Sequence, residues 1–352
     1  MITIFTPSFA DEADTNAQNL TVKEIVARLS PERFRVILLQ EGRADTRIEQ
    51  RPNTKLLQWH RRGNTLRVLG HLATQVPDVY FFPREGPLDA AFFQFRRALR
   101  WKTAVLTYIV SGGLHARPPR PTLERNIRVA DAVIANSQYL MQLLRSNLGI
   151  EAGVIYDGID HRFFFPPGAG QRELEHSLTV LFAGSFRSYK RPELVIYQAH
   201  RWPEVNFRLA GTGEEESKCR RLAAKLACSN VDFLGHLPPQ QLGDEMRRAD
   251  IFFFPSVIEG HPQVLGQAAA CGLPCVAMNI YRPEFVENEK TGFLVDSDEE
   301  LAQRLDLLIA DPELRRSMAQ AATIRSRKFN WDTVTERWQD EFENVVATRR
   351  NR

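Results

Sequence analysis

The residues best equipped for chemistry lie in DIFFFPSVIEGHPQVLGQAAACGLPCVAM (250–278), where an apolar strand ends at Pro255, a loop carries Glu259 and Gly260, and a helix starts near Pro262. A loop of this kind aims backbone N–H groups past the strand end, and the positive end of a helix favours an anion such as a diphosphate. Pro262 suits the first turn, where its missing donor is not needed. Glu259 has two readings: it accepts hydrogen bonds from sugar hydroxyls, or it is a charge that only steadies the helix dipole. Cys271 and Cys275 sit in the same apolar run without a nearby His pair, so they read as core thiols and not as metal ligands.

Short apolar runs alternate with helical patterns along the chain, which requires parallel sheets covered by helices on both faces. Strands are expected at 2–6, 34–39, 78–82, 103–110 and 132–136, then again at 178–183, 205–210, 251–255 and 274–278. Between the two series, HRFFFPPGAGQRELEH (161–176) reads as a linker. The expectation is two Rossmann-like, doubly wound domains, 1–160 and 177–330. Trp331, Val334, Trp338, Phe342 and Val345 form one apolar face of a last helix in 331–352, which is expected to pack back across both domains.

The 352 residues fit two ordinary domains, and 43% apolar with 25% charged residues excludes disorder and coiled coil. No apolar run approaches the ~18 residues of a membrane span, and MITIF lacks the flank and core of a signal peptide, so a cytoplasmic location is expected. Residues 1–150 hold 18 Arg and 3 Lys against 13 acidic residues, leaving 25 basic and 30 acidic residues beyond them. The basic half suits an anionic partner. AAFFQFRRALRWK (90–102) interleaves aromatics with Arg96, Arg97, Arg100 and Lys102, as an interfacial helix would, and peripheral membrane contact is expected there if the acceptor is lipid-linked. A buried helix with a basic outer face is the competing reading. A nucleic-acid partner is not expected.

PSVIEGHPQVLGQAAACGLPCVA resembles the signature of the family 4 glycosyltransferases of the GT-B fold, in which a Glu-Gly-Phe-Pro turn is followed by a second Glu eight residues after the first. LFAGSFRSYKRPELVI (181–196), RLAGTGEEE (208–216), VDFLGHLPPQQLGDEMRRADIFFFPS (231–256), ADAVIANSQYL (130–140) and VIYDGID (154–160) match the family in the same order, covering nearly all of 130–300. The resemblance implies a nucleotide-diphosphate sugar bound by the second domain and transferred, with retention, to a glycan, lipid-linked or small-molecule acceptor held by the first. No cofactor and no metal are expected. Lys190 would neutralise the leaving diphosphate, with Glu259 as its catalytic partner. Gly184, Ser185, Arg187, Arg191, Gly211 and Gly213 would line the phosphates and ribose, and Gly235, His236 and Leu237 the base. Gly260, His261, Pro262, Gln263, Val264 and Gln267 complete the expected donor site.

Three positions depart from the family pattern. Ser185 replaces an Arg, for which Arg187 or Arg191 would substitute. Gln267 replaces the second Glu, retaining hydrogen bonding without charge. Ile109 stands where a His is frequent, leaving His115 as the replacement. Acceptor contacts are expected from Asn16, Arg84, Glu85 and His115. Asp296 and Asp298 mimic the metal-binding Asp-x-Asp of the other main glycosyltransferase fold, but here read as helix caps. These departures motivate the alternative of a non-catalytic GT-B subunit that binds nucleotide or a partner glycosyltransferase. A nucleotide-sugar epimerase on the same fold is a further alternative.

Overall fold

The computed structural model describes residues 1–12, 17–59, 64–110, 120–168 and 177–351. The chain divides into two units, Met1–Asp157 with Trp331–Arg352, and Gly158–Asn330. The boundary thus falls at 157/158, with the expected linker counted in the second unit.

In the first unit seven parallel strands run in the order β3-β2-β1-β4-β5-β6-β7: β1 (Ile2–Phe9), β2 (Phe34–Gln40), β3 (Thr54–Gln58), β4 (Val79–Phe81), β5 (Ala104–Ile109), β6 (Ala132–Ala135) and β7 (Gly153–Val154). Their near-continuous apolar runs follow from helices covering both faces. The helices are α1 (Ala17–Arg28), α2 (Thr46–Glu49), α3 (Asn64–Thr74), α4 (Pro87–Ala98), α5 (Pro121–Arg128) and α6 (Gln138–Leu148). TKLLQ and the helix after it escaped the sequence reading, because β3 is only half-buried at the sheet edge and lacks an apolar run.

The second unit repeats the plan with six parallel strands in the order β10-β9-β8-β11-β12-β13: β8 (Thr179–Ala183), β9 (Asn206–Ala210), β10 (Val231–Gly235), β11 (Ile251–Phe254), β12 (Cys275–Met278) and β13 (Gly292–Val295). Its helices are α7 (Glu193–Arg201), α8 (Glu216–Lys225), α9 (Pro239–Arg248), α10 (Gln263–Ala270), α11 (Asp298–Ala310) and α12 (Pro312–Ser326). All four cysteines are free thiols; Cys219, Cys271 and Cys275 are buried.

The last helix, α13 (Trp331–Arg350), is counted with the first unit. Its five predicted apolar residues are buried in the same core cluster as Phe34, Phe81 and Tyr108. Trp338 stands edge-on to Tyr108 and Phe81 at ring-centroid distances of 4.8 and 5.1 Å, and Phe342 meets Phe34 at 6.1 Å. Such aromatic burial dominates the local packing energy.

Candidate active site

Each sheet reverses its strand order once, between β1 and β4 in the first unit and between β8 and β11 in the second. Loops leaving the carboxyl ends of those strands diverge, which opens a crevice where doubly wound sheets bind ligands. Lys190 and Glu259 follow β8 and β11, and Arg84 and Glu85 follow β4.

In the second unit the loop after β8 makes a 3₁₀ turn, Ser188–Lys190, and the loop after β11 carries Ser256 to Glu259. The Val257 N–H donates to the Tyr189 carbonyl at 2.9 Å, fastening the two loops. Lys190 Nζ thereby meets the Glu259 carboxylate in an ion pair, with side-chain exposures of only 13% and 11%. Ser256 Oγ donates to the same Glu259 oxygen at 2.6 Å. The lysine ammonium also lies 5.1 Å from the Phe254 ring centroid and 5.6 Å from that of Tyr189. A half-desolvated pair of this kind presents a strong local dipole to an incoming ligand. Sequence reasoning found both charged residues but missed Ser256, whose only signal was its place three residues before Glu259. Tyr281 is buried near this pair, and burial, with the Glu259 charge adding to it, raises its phenol pKa well above the ordinary value.

Backbone packing alone requires Gly211 and Gly213. A Cβ on Gly211, at φ +131°, would sit 1.9 Å from the Gly184 carbonyl oxygen, and one on Gly213 would sit 2.6 Å from that of Phe186. The loops are zipped by Gly184 N–H to Ala210 O at 3.0 Å, Phe186 N–H to Thr212 O at 2.9 Å and Gly211 N–H to Gly235 O at 2.7 Å. Backbone packed this closely against backbone leaves no room for any side chain. Ser185 and Arg187 stand on this zipped edge, Arg187 exposed. His236 is exposed and Leu237 half-buried immediately beyond Gly235.

The other expected donor residues differ in burial and in partners. Arg191, in the left-handed region at φ 51°, donates from Nε to the Pro255 carbonyl at 2.7 Å and pairs with Asp298 at 2.6 Å. It therefore braces the two loops. The side chain of His261 is fully buried, 4.0 Å between centroids from Phe285 and 3.8 Å from Glu284. Burial alone lowers its pKa to about 3. Gly260 and Pro262 are buried, Pro262 being the residue just before α10; Gln263, Val264 and Gln267 are half-buried along it. Asp296 and Asp298 do not cap α11 with their side chains. Ser297 between them does, accepting from the Glu300 N–H at 3.1 Å.

In the first unit Arg84, after β4, reaches Gln18 and Asn19 at the start of α1 and lies over the Phe82 ring at 5.6 Å. The buried Asp89 accepts from the Arg84 and Gly86 N–H groups at 3.1 and 2.7 Å, shaping this turn. Glu85, also left-handed at φ 66°, accepts from Arg120 at 2.9 Å and from the Thr122 hydroxyl. Ile109 is buried at the end of β5. Asn16 and His115 lie outside the described residues. Among the described residues no helix is long and apolar enough to cross a membrane.

Two doubly wound parallel sheets with these strand orders form the GT-B glycosyltransferase fold. The sucrose-phosphate synthase structure from Thermosynechococcus elongatus matches 99% of this chain and 100% of its own, with a TM-score of 0.81 at 18% identity. The Anabaena HepE structure in complex with UDP and glucose matches 98% and 100%, at 0.76 and 18%. At this identity the likeness establishes the fold. Residues 170–325 match the family model described as glycosyl transferases group 1. Among curated relatives, an uncharacterized glycosyltransferase of Haemophilus influenzae is 32% identical over 46% of this chain and 48% of its own. The D-inositol 3-phosphate glycosyltransferase of Streptomyces bingchenggensis is 26% identical over 63% and 55%. The chain thus spans about half the length of these two relatives.

Proposed function

We propose that this chain is a glycosyltransferase that moves a sugar from a nucleotide-diphosphate sugar to a glycan, lipid-linked or small-molecule acceptor, with retention at the anomeric carbon and without a metal ion. The observation that carries this reading is the Lys190–Glu259 pair across the β8/β11 switch point, inside the segment matched by the family model. Before donor arrives each charge neutralises the other. A diphosphate beside Gly184 draws the Lys190 ammonium, and the freed Glu259 oxygen accepts from sugar hydroxyls while Ser256 keeps the carboxylate in place. The loops at Gly211, Gly213 and Gly235 hold ribose and base mainly through backbone groups, and the α10 N-terminus adds its dipole.

As the bond from the anomeric carbon to the phosphate oxygen breaks, its electron pair stays on the diphosphate, where Lys190 stabilises it. The acceptor oxygen bonds to the anomeric carbon from the same face, and its proton passes to the departing phosphate oxygen. Protein catalysis is then preorganised charge and positioning. Arg84 and Glu85 are the acceptor contacts in this reading.

Because HepE was crystallised with UDP-glucose, a uridine nucleotide is the first donor to try. Thermal shift with UDP, GDP and ADP should single out one base, and the matching nucleotide sugar should be turned over with a panel of acceptors in the presence of EDTA. Binding without transfer or slow hydrolysis would show a non-catalytic subunit. An inverted anomeric proton coupling in the product would end the retaining assignment.

A further inference from the structure

A basic pocket in the first unit is independent of the sugar-transfer reading. Arg96 and Arg97 end α4, Arg100 and Lys102 follow it, and Arg349 arrives from α13. These five cations and Trp101 line a cavity of about 520 Å³, within the ~300–1,000 Å³ that encloses a small ligand. Trp101 and Lys102 precede β5, whereas Arg84 follows β4, so the pocket lies at the amino edge of a sheet whose carboxyl edge carries Arg84 and Glu85. The two edges are separated by the length of β5, on the order of 20 Å.

The pocket has a fixed floor and a free rim. Arg96, at 2.5 Å, and Arg349, at 3.3 Å, share the Asp131 carboxylate, and Arg96 Nε also donates to the Thr103 carbonyl at 2.8 Å. Arg97, Arg100 and Lys102 are exposed around them, and among the described residues their side chains have no ion-pair or hydrogen-bond partner. Five cations about one carboxylate repel one another until an anion joins them. Arg100 adds to that cost, because it holds φ 51° one residue after the α4 C-cap, where glycine is the unstrained choice. A single phosphate ester carries about two negative charges and leaves about half of this positive excess standing, whereas a di- or triphosphate cancels most of it. Guanidinium forks fit phosphate oxygens. Trp101 supplies the other half of the match. It is half-buried and packed on Phe92 at a ring-centroid distance of 5.9 Å, which fixes an indole in the pocket wall for a planar ring to stack on.

We propose that this pocket is a second nucleotide site, which binds a soluble nucleoside di- or triphosphate with its phosphates among the five cations and its base on Trp101. Calorimetry on the full chain carrying Lys190→Ala, with ATP as the probe in metal-free buffer at ~0.15 M salt, reads this site apart from the expected donor site. One ATP should bind. Adding Arg97→Ala/Arg100→Ala/Lys102→Ala should weaken it on the order of a hundredfold. Arg100→Gly alone should weaken it about tenfold while melting at the same or a higher temperature, so a folding defect is not its explanation. Trp101→Ala should cost ATP about tenfold and leave inorganic tripolyphosphate affinity unchanged, which also shows that the pocket stays folded. No ATP binding in the Lys190→Ala chain, or binding that the triple substitution leaves intact, overturns the proposal. Tripolyphosphate bound as tightly as ATP, with Trp101→Ala indifferent, overturns the nucleoside assignment. Capture by phosphatidylglycerol vesicles without ATP binding would give these cations to a membrane and overturn the soluble site.

Discussion

The same strand order produces opposite kinds of site in the two units. At the β8/β11 switch point the scaffold is backbone on backbone, three loops zipped so closely that Gly211 and Gly213 have no room for a side chain, and two charges from adjacent loops close on each other. At the β1/β4 switch point, Arg84 is held by the side chains of Gln18 and Asn19, and Glu85 by Arg120 and Thr122. A ligand common to many relatives rewards the first construction, because backbone geometry tolerates few residue types. A ligand that varies suits the second, whose polar contacts exchange freely.

The contrast breaks most directly at Lys190. Lys190→Ala removes the cation that the proposed reading places on the diphosphate and should lower kcat by roughly 10²–10³-fold while the chain still folds. Near-normal turnover would strip the second unit's switch point of its chemical role. Comparable in size is Gly211→Ala, which forces a methyl into the Gly184 carbonyl and should cost roughly 3–5 kcal/mol in denaturant unfolding. Gly184→Ala meets nothing nearer than 3.5 Å and should stay within about 1 kcal/mol of the parent. Equal costs for the two would mean that the zipped loops do not demand glycine.

This asymmetry also explains what the sequence disclosed. Lys190, Glu259 and the glycines were legible because their types are dictated by backbone approach and charge, and their spacing is fixed by strand ends. Ser256 was invisible, since a serine after a strand has many uses. Arg191 and His261 showed their place in the loops but not what their side chains pack against. Only the fold reveals one as a brace to Pro255 and Asp298 and the other as core beside Phe285. The α13 helix showed its apolar face but not its partner, because periodicity says which side is buried and not against what.

The buried His261 offers a third test, about 2 kcal/mol in size. Its pKa is about 3 in the folded chain and near 6.5 when unfolded, so the unfolded state binds the extra proton. Stability is therefore complete above pH 6.5 and falls as pH drops toward 3, by about 2 kcal/mol between pH 8 and pH 5. Unfolding of the parent and of His261→Gln across that range should differ in slope by this amount; parallel curves would mean the imidazole is not buried neutral. On the first unit's side, Arg84→Ala should raise the acceptor KM about tenfold, as one charge-assisted contact is lost, and leave the donor KM alone. A change in donor KM instead would erase the division of labour between the two switch points.

The smallest effect sharpens the comparison from within the donor side. Gln267 stands one helical turn after Gln263 on α10, where the amide provides hydrogen bonding without charge. If it contacts the ribose hydroxyls, Gln267→Glu replaces neutral acceptance with charge-assisted acceptance, and nucleotide-diphosphate affinity by calorimetry should tighten severalfold, about 1 kcal/mol. The opposing force is repulsion between the new carboxylate and the diphosphate, which grows as the two approach. Tightening therefore requires position 267 to stand by the sugar alcohol groups and away from the phosphates, whereas weaker binding would place the phosphates beside α10 and move the ribose toward Gly211.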